Sequence, residues 1–180
     1  MYLISAYFDE ASNRIIQNHM DCIAAKTGNT FMQDNHVPPH MTISSIEARS
    51  EEILMPAFSS LADSLKEGKI KVVSTGQLLP YVFYLTPVLN PYLSIMSENV
   101  FNAFKDIPET SVSRYYMPGS WLPHITIAKK LTGEQMNLTF KEMQNRFSVF
   151  DAMIVRLGLS RVNPHEDIMK FDMSSSHEQL

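Results

Sequence analysis

Two short segments of the chain carry nearly the same residues in the same order, Pro39-His40-Met41-Thr42-Ile43 and Pro123-His124-Ile125-Thr126-Ile127. On a strand, successive side chains alternate faces. His40 and Thr42 then share one face, with Met41 and Ile43 on the other, and His124 and Thr126 are set opposite Ile125 and Ile127 in the same way. Two imidazoles and two hydroxyls converging on one small volume suit a phosphodiester. A neutral histidine takes a proton from the attacking water or hydroxyl, and a protonated one gives a proton to the leaving oxygen. The unperturbed pKa of histidine, about 6.5, puts both forms within reach near neutrality. Each threonine hydroxyl can donate to a non-bridging phosphate oxygen. This set assigns His40 and His124 as catalytic and Thr42 and Thr126 as phosphate-binding, and it calls for no metal and no other cofactor. Which histidine is acid and which is base stays open. One His-x-Thr alone is a weak signal; its repetition at matching places in a repeated topology gives it weight.

The elements that must position these residues come in two similar sets. Residues 2–8 read as a strand, 9–26 as a helix with apolar residues at helical spacing, and 40–46 as the first motif strand. Ser50-Glu51-Glu52 has the look of a helix start, followed by the stripe Leu54, Phe58, Leu61 and Leu65, and 69–79 reads as a further strand. The order then recurs: strand 81–88, a helix opened by Asn90-Pro91, the motif strand 124–131, a helix from Thr132 to about Phe147, and strands at 152–160 and 168–173. A duplicated β-α-β-α-β pattern predicts an α+β fold of two pseudo-symmetric lobes, formed by the halves 1–79 and 80–180 within a single domain over 1–180. A pseudo-twofold axis would bring the two polar motif faces together.

The chain has 180 residues, 44% apolar and 19% charged, as a globular protein does. Its formal charge of −4 argues against non-specific grip on long nucleic acid, which needs many phosphate contacts, and leans toward a small ligand. A single cysteine, Cys22, excludes an internal disulfide. No run of eighteen apolar residues and no secretory leader is found, so no membrane partner and a cytoplasmic location are expected.

With the two His-x-Thr motifs and the stretch from Tyr115 through Trp121 and His124 to Lys129, the sequence resembles the two-histidine phosphoesterase superfamily, in particular its bacterial 2′,5′-RNA ligase-like and cyclic phosphodiesterase proteins. The resemblance in element order covers nearly the whole chain, but only the motifs are specific. It implies two antiparallel sheets with flanking helices around a central cleft, and metal-independent action on 2′,3′-cyclic phosphates or 2′,5′-linked nucleotides or RNA ends. For a 2′,3′-cyclic phosphate it implies loss of the 3′ oxygen. Degradation of 2′,5′-oligoadenylates or cyclic oligonucleotides, RNA ligation with the same site, and a non-catalytic nucleotide-binding module are the alternatives. The expected partner is a nucleotide or short RNA, and one chain suffices for the site, so a monomer is expected.

Other residues are candidates of lower specificity. Trp121 either stacks on a base or caps the core, and Tyr116 offers a hydroxyl or packs. Ser44 and Lys130 share the motif faces if the alternation persists that far. Arg114 and Arg161 are cations that could clamp a second phosphate. His36 precedes His40 by four residues, but Pro38 and Pro39 between them preclude a helical pair. His19 and Cys22 read as helix-packing residues, and His165 and His177 as parts of a polar loop and a polar tail.

Overall fold

A computed structural model of the chain describes residues 1–162 and 164–175, so His177 lies outside the described residues. β1 (Tyr2–Phe8) leads into α1 (Glu10–Thr27), whose free first-turn N–H groups are met by the Asp9 carboxylate, which accepts from the Ser12 amide at 2.9 Å. Gly28, at φ 70°, ends the helix in the left-handed conformation that glycine adopts without a steric cost. A single turn, α2 (Phe31–Asp34), precedes β2 (Met41–Ala48), and α3 (Met55–Ser60) and β3 (Gly68–Leu78) close the first set. The second set is β4 (Val82–Pro87), α4 (Pro91–Phe104), β5 (Thr110–Val112), β6 (Ile125–Ala128), α5 (Gly133–Arg146) and β7 (Phe150–Arg161), with β8 (Glu166–Asp172) added. Asn90 caps α4 ahead of Pro91, and Thr132 and Gln135 form a reciprocal capping box on α5. Among the described residues, no helix is long and apolar enough to cross a membrane.

One expected helix differs. The Ser50-Glu51-Glu52 segment does not cap a helix; α3 starts only at Met55 and passes into a 3-10 turn at Leu61–Asp63. Glu51 is instead drawn to the β1 side, where it accepts from the Tyr2 hydroxyl at 2.9 Å and pairs with Arg161. A partnered carboxylate there outcompetes its use as a first-turn charge.

Six strands are hydrogen-bonded in a closed circuit, β1-β2-β6-β4-β3-β7 and back to β1, with every neighbour antiparallel. β5 adds to β2, and β8 to β7. The circuit has an internal symmetry. Exchanging β1 with β4, β2 with β6 and β3 with β7 turns the β1–β2 pair into β4–β6 and β3–β4 into β7–β1, while β2–β6 and β3–β7 map onto themselves. The helices obey the same exchange, since α1 packs on β6 and α5 while α4 packs on β2 and α3. Each motif strand is therefore backed by the first helix of the other repeat.

Contacts cross between residues 1–79 and 80–180. β3 is bonded along β4, and α1 buries Ile16, Met20 and Ile23 beneath the motif strand of the second repeat. Helical periodicity determines which face of α1 must be covered, but any apolar sheet face satisfies that demand.

Candidate active site

The pseudo-twofold axis passes between the two motif strands, where Met41 pairs with Ile125 and both are fully buried. Continued one residue each way, this register sets His40 opposite Thr126 and Thr42 opposite His124. All four side chains lie on the wall of one cavity of about 320 Å³. The polar faces expected from strand alternation thus converge in the structure.

Each histidine is held in the same way. Nδ1 of His40 lies 2.8 Å from the Pro38 carbonyl oxygen, and Nδ1 of His124 lies 2.8 Å from that of Leu122. A carbonyl can only accept, so both Nδ1 atoms carry hydrogen and donate. In the neutral ring this leaves the lone pair on Nε2. The His124 ring also meets the edge of Tyr84, with centroids 5.3 Å apart.

The two imidazoles differ in proton affinity. Burial pushes His40 down to about 4, and the Pro38 hydrogen bond opposes this. His124 is also lowered by burial, against the opposing Leu122 hydrogen bond. Only 9% of His40 is exposed, whereas His124 is half-buried. Both rings are thus readied as neutral acceptors at Nε2, and His40 is the harder to protonate.

Each motif strand contains a β-bulge one residue beyond its threonine. On β2, Thr42 pairs with Ser5 and Ser44 with Ile4, which leaves Ile43 as the extra residue. On β6, Thr126 pairs with Tyr84 and Ala128 with Phe83, which leaves Ile127. A bulge shifts the alternation by one. The next residues to reach the cavity are therefore Ser45 and Lys129, each five positions after its histidine. This corrects the expectation for Ser44 and Lys130. Ser44 faces the core, 1% exposed and with its hydroxyl unpartnered. Lys130, at φ 58°, lies outside the wall with its ammonium 4.7 Å from the centre of the Phe31 ring.

Trp121 is 7% exposed within the core, and its indole N–H donates to the Thr42 carbonyl at 3.1 Å. It ties the approach to the second motif to the backbone of the first. Tyr116 does line the cavity, with its hydroxyl against the Thr42 side chain, and burial raises its pKa.

The remaining candidates lie elsewhere. Arg114 stacks on the exposed Tyr115, and Arg161 is paired with Glu51 and Glu166. His36 borders a separate hollow, at φ 53°. His19 packs between Phe147 and Phe150, where burial lowers its pKa. Cys22 is half-buried, with its thiol 3.8 Å from Glu142.

One residue read as loop, His165, stands on the cavity wall beside His40, their ring centroids 5.9 Å apart. It sits in the turn between β7 and β8, one residue before β8 begins, where no strand alternation signals its direction. Asp167 lies 3.3 Å from its ring.

No family model and no curated protein matches the chain. Among solved structures it is similar to a protein described as a phosphoesterase (12% identity, TM-score 0.58, 97% of this chain and 98% of the other). It is also similar to E. coli LigT solved with NADP+ (14% identity, TM-score 0.60, 97% of each chain). A third similar structure is Kluyveromyces marxianus Usb1 (11% identity, TM-score 0.52, 96% of this chain and 97% of the other). The fold, with helices flanking an antiparallel sheet, is the one shared by these solved structures. It spans essentially the full length of these proteins.

Proposed function

We propose that this chain is a phosphodiesterase that opens a 2′,3′-cyclic phosphate, or cleaves a 2′,5′-linked nucleotide or RNA end, by acid–base work of His40 and His124 without a metal. The observation that carries this reading is the twofold pair of imidazoles, each locked through Nδ1 to a backbone carbonyl and each sharing one cavity with a threonine hydroxyl. The fold shared with phosphoesterases supports it, as do LigT structures that hold NADP+ or 3′-AMP.

Depressed proton affinity suits His40 to the role of base. Its Nε2 takes a proton from water as the water oxygen bonds to phosphorus. His124, the less buried ring, is the acid. The negative charge of a bound phosphate favours its protonated form, and Nε2–H then delivers that proton to the ribose oxygen as the P–O bond breaks. With a 2′,3′-cyclic phosphate and loss of the 3′ oxygen, the product is a 2′-phosphate. Thr42 and Thr126 donate to the non-bridging oxygens, where negative charge accumulates. Lys129 adds a cation to the wall, and no Asp or Glu is among the described residues lining it. A volume of about 320 Å³ lies at the small end of the range for small-molecule sites, about 300–1,000 Å³. That favours one nucleotide over a long strand.

The test is hydrolysis of the four nucleoside 2′,3′-cyclic phosphates in EDTA by wild type, His40→Ala and His124→Ala. Turnover that survives chelation and is lost in both variants supports the mechanism, and the product isomer reports which ester bond broke. Turnover abolished by EDTA overturns it. No turnover at all transfers the proposal to 2′,5′-linked substrates.

A further inference from the structure

The hairpin of β7 and β8 brings a third imidazole to this cavity, on one side only. β8 has no counterpart in the first repeat, so His165 is an addition to the duplicated site. Its side chain is 8% exposed, and its Nε2 lies 3.3 Å from Asp167 Oδ1. The same oxygen accepts from the Tyr7 hydroxyl at 2.9 Å, and Oδ2 accepts from the Lys170 ammonium at 2.7 Å. Gly158 makes the arrangement possible, since a β-carbon there would come within 2.5 Å of the Tyr7 ring.

This cluster sets the orientation of the His165 proton. Burial acts to raise the Asp167 pKa, but the Lys170 and Tyr7 hydrogen bonds outweigh it and hold the carboxyl below an ordinary aspartate. An ionised carboxylate only accepts, so Nε2 of His165 carries a hydrogen and donates, which directs the ring's acceptor position to Nδ1. That is the reverse of His40 and His124, whose Nδ1 atoms donate. Among the described residues, the contacts of the His165 ring nitrogens run through Nε2, and Nδ1 has no hydrogen-bond partner.

We propose that His165 is a specificity-determining residue, whose Nδ1 accepts a hydrogen bond from a ribose hydroxyl of the bound nucleotide on the His40 side of the reacting phosphate. The inference rests on the phosphodiesterase reading and deepens it. An acceptor nitrogen is satisfied by a hydroxyl and not by an ionised phosphate oxygen, which has no hydrogen to give. The repeated His and Thr residues present the same groups to both ester sides of a phosphodiester. A one-sided acceptor tells those sides apart.

The experiment measures calorimetric affinities of adenosine 2′-phosphate and of its 3′-deoxy and 5′-deoxy forms. The proteins are wild type, His165→Phe and His165→Asn, each checked by thermal unfolding. Wild type should bind one deoxy form about threefold to tenfold more weakly than the parent, the effect of one hydrogen bond. His165→Phe should bind the parent as weakly as wild type binds that deoxy form, and no longer distinguish the two. His165→Asn, with an amide oxygen near the former Nδ1, should keep part of the discrimination. The smaller, apolar His165→Leu gives the same reading where the Phe variant does not fold. Discrimination unchanged in the variants, or equal binding of all three nucleotides by wild type, overturns the role of His165. If wild type still hydrolyses cyclic phosphates, that failure leaves the phosphodiesterase reading standing. A wild type that neither binds nor hydrolyses any nucleotide overturns both.

Discussion

His40 and His124 make the same bond, Nδ1 to the carbonyl oxygen two residues earlier, at 2.8 Å in both cases. Identical anchoring does not make them identical acids. His40 is buried enough to be held at about 4, and His124 is lowered from its ordinary value by a less complete burial. With His40 as base and His124 as acid, free enzyme is competent where the first is neutral and the second protonated. The pH profile of kcat/KM for a nucleoside 2′,3′-cyclic phosphate should therefore be a bell with its acid limb near 4 and its alkaline limb below about 6.5. The alkaline limb of kcat should lie higher, because bound phosphate favours protonated His124. An alkaline limb of kcat/KM well above 6.5 would contradict these role assignments.

The same burial links His40 to stability. Its folded pKa is depressed, so the unfolded chain takes up the proton first as pH falls. Stability should be flat above about 6.5 and decline between about 6.5 and 4, by about 3 kcal/mol for His40 at the low end. His124 and His19, also lowered, act in the same direction. Urea unfolding at closely spaced pH values measures this. His40→Gln, which lacks the titrating group, should show a shallower decline over that window; an equally steep one would assign the effect to other groups.

Much of this arrangement was legible in the sequence, and the exceptions have specific causes. Strand alternation at Pro-His-x-Thr-Ile indicated the shared polar face, because a buried apolar neighbour at every second residue leaves little freedom. The bulges at Ile43 and Ile127 leave no compositional trace, since an isoleucine suits a regular strand position equally well, and unbroken alternation therefore points to Ser44 and Lys130. The exchange of α1 and α4 between repeats was hidden because an apolar helix face does not specify its sheet. Trp121 carries both an apolar ring and an N–H, and only its register against Thr42 decides between core and ligand. His165 is a turn residue, as its polar surroundings predict, but its place on the cavity wall depends on contacts such as that with Tyr7, 158 residues away.

The two bulges make a prediction that separates adjacent lysines. Lys129 is on the cavity wall and Lys130 is turned toward Phe31. Lys129→Met should raise KM for a cyclic nucleotide roughly tenfold, about the effect of a hydrogen bond to a charged group, and weaken the salt dependence of binding. Lys130→Met should leave KM within about twofold. Steady-state kinetics at two ionic strengths checks both, and equal effects from the two variants would place the register of β6 in error.

Trp121 offers the complementary case, a residue whose effect should appear in stability before it appears in binding. Its indole N–H is the partner of the Thr42 carbonyl in a buried setting. Trp121→Phe keeps most of the apolar surface and leaves that carbonyl unpaired, so the cost should be about 1–3 kcal/mol in urea unfolding. Thr42 is displaced with its backbone, and kcat should fall a few-fold by misplacement of its hydroxyl. KM should not depend on the base any more than it does in wild type. A stacking platform would show the opposite pattern: little loss of stability, with KM rising more for purine than for pyrimidine cyclic phosphates. The variant assayed on all four substrates, with its unfolding curve, therefore decides whether the side chain acts through the Thr42 backbone or on the ligand.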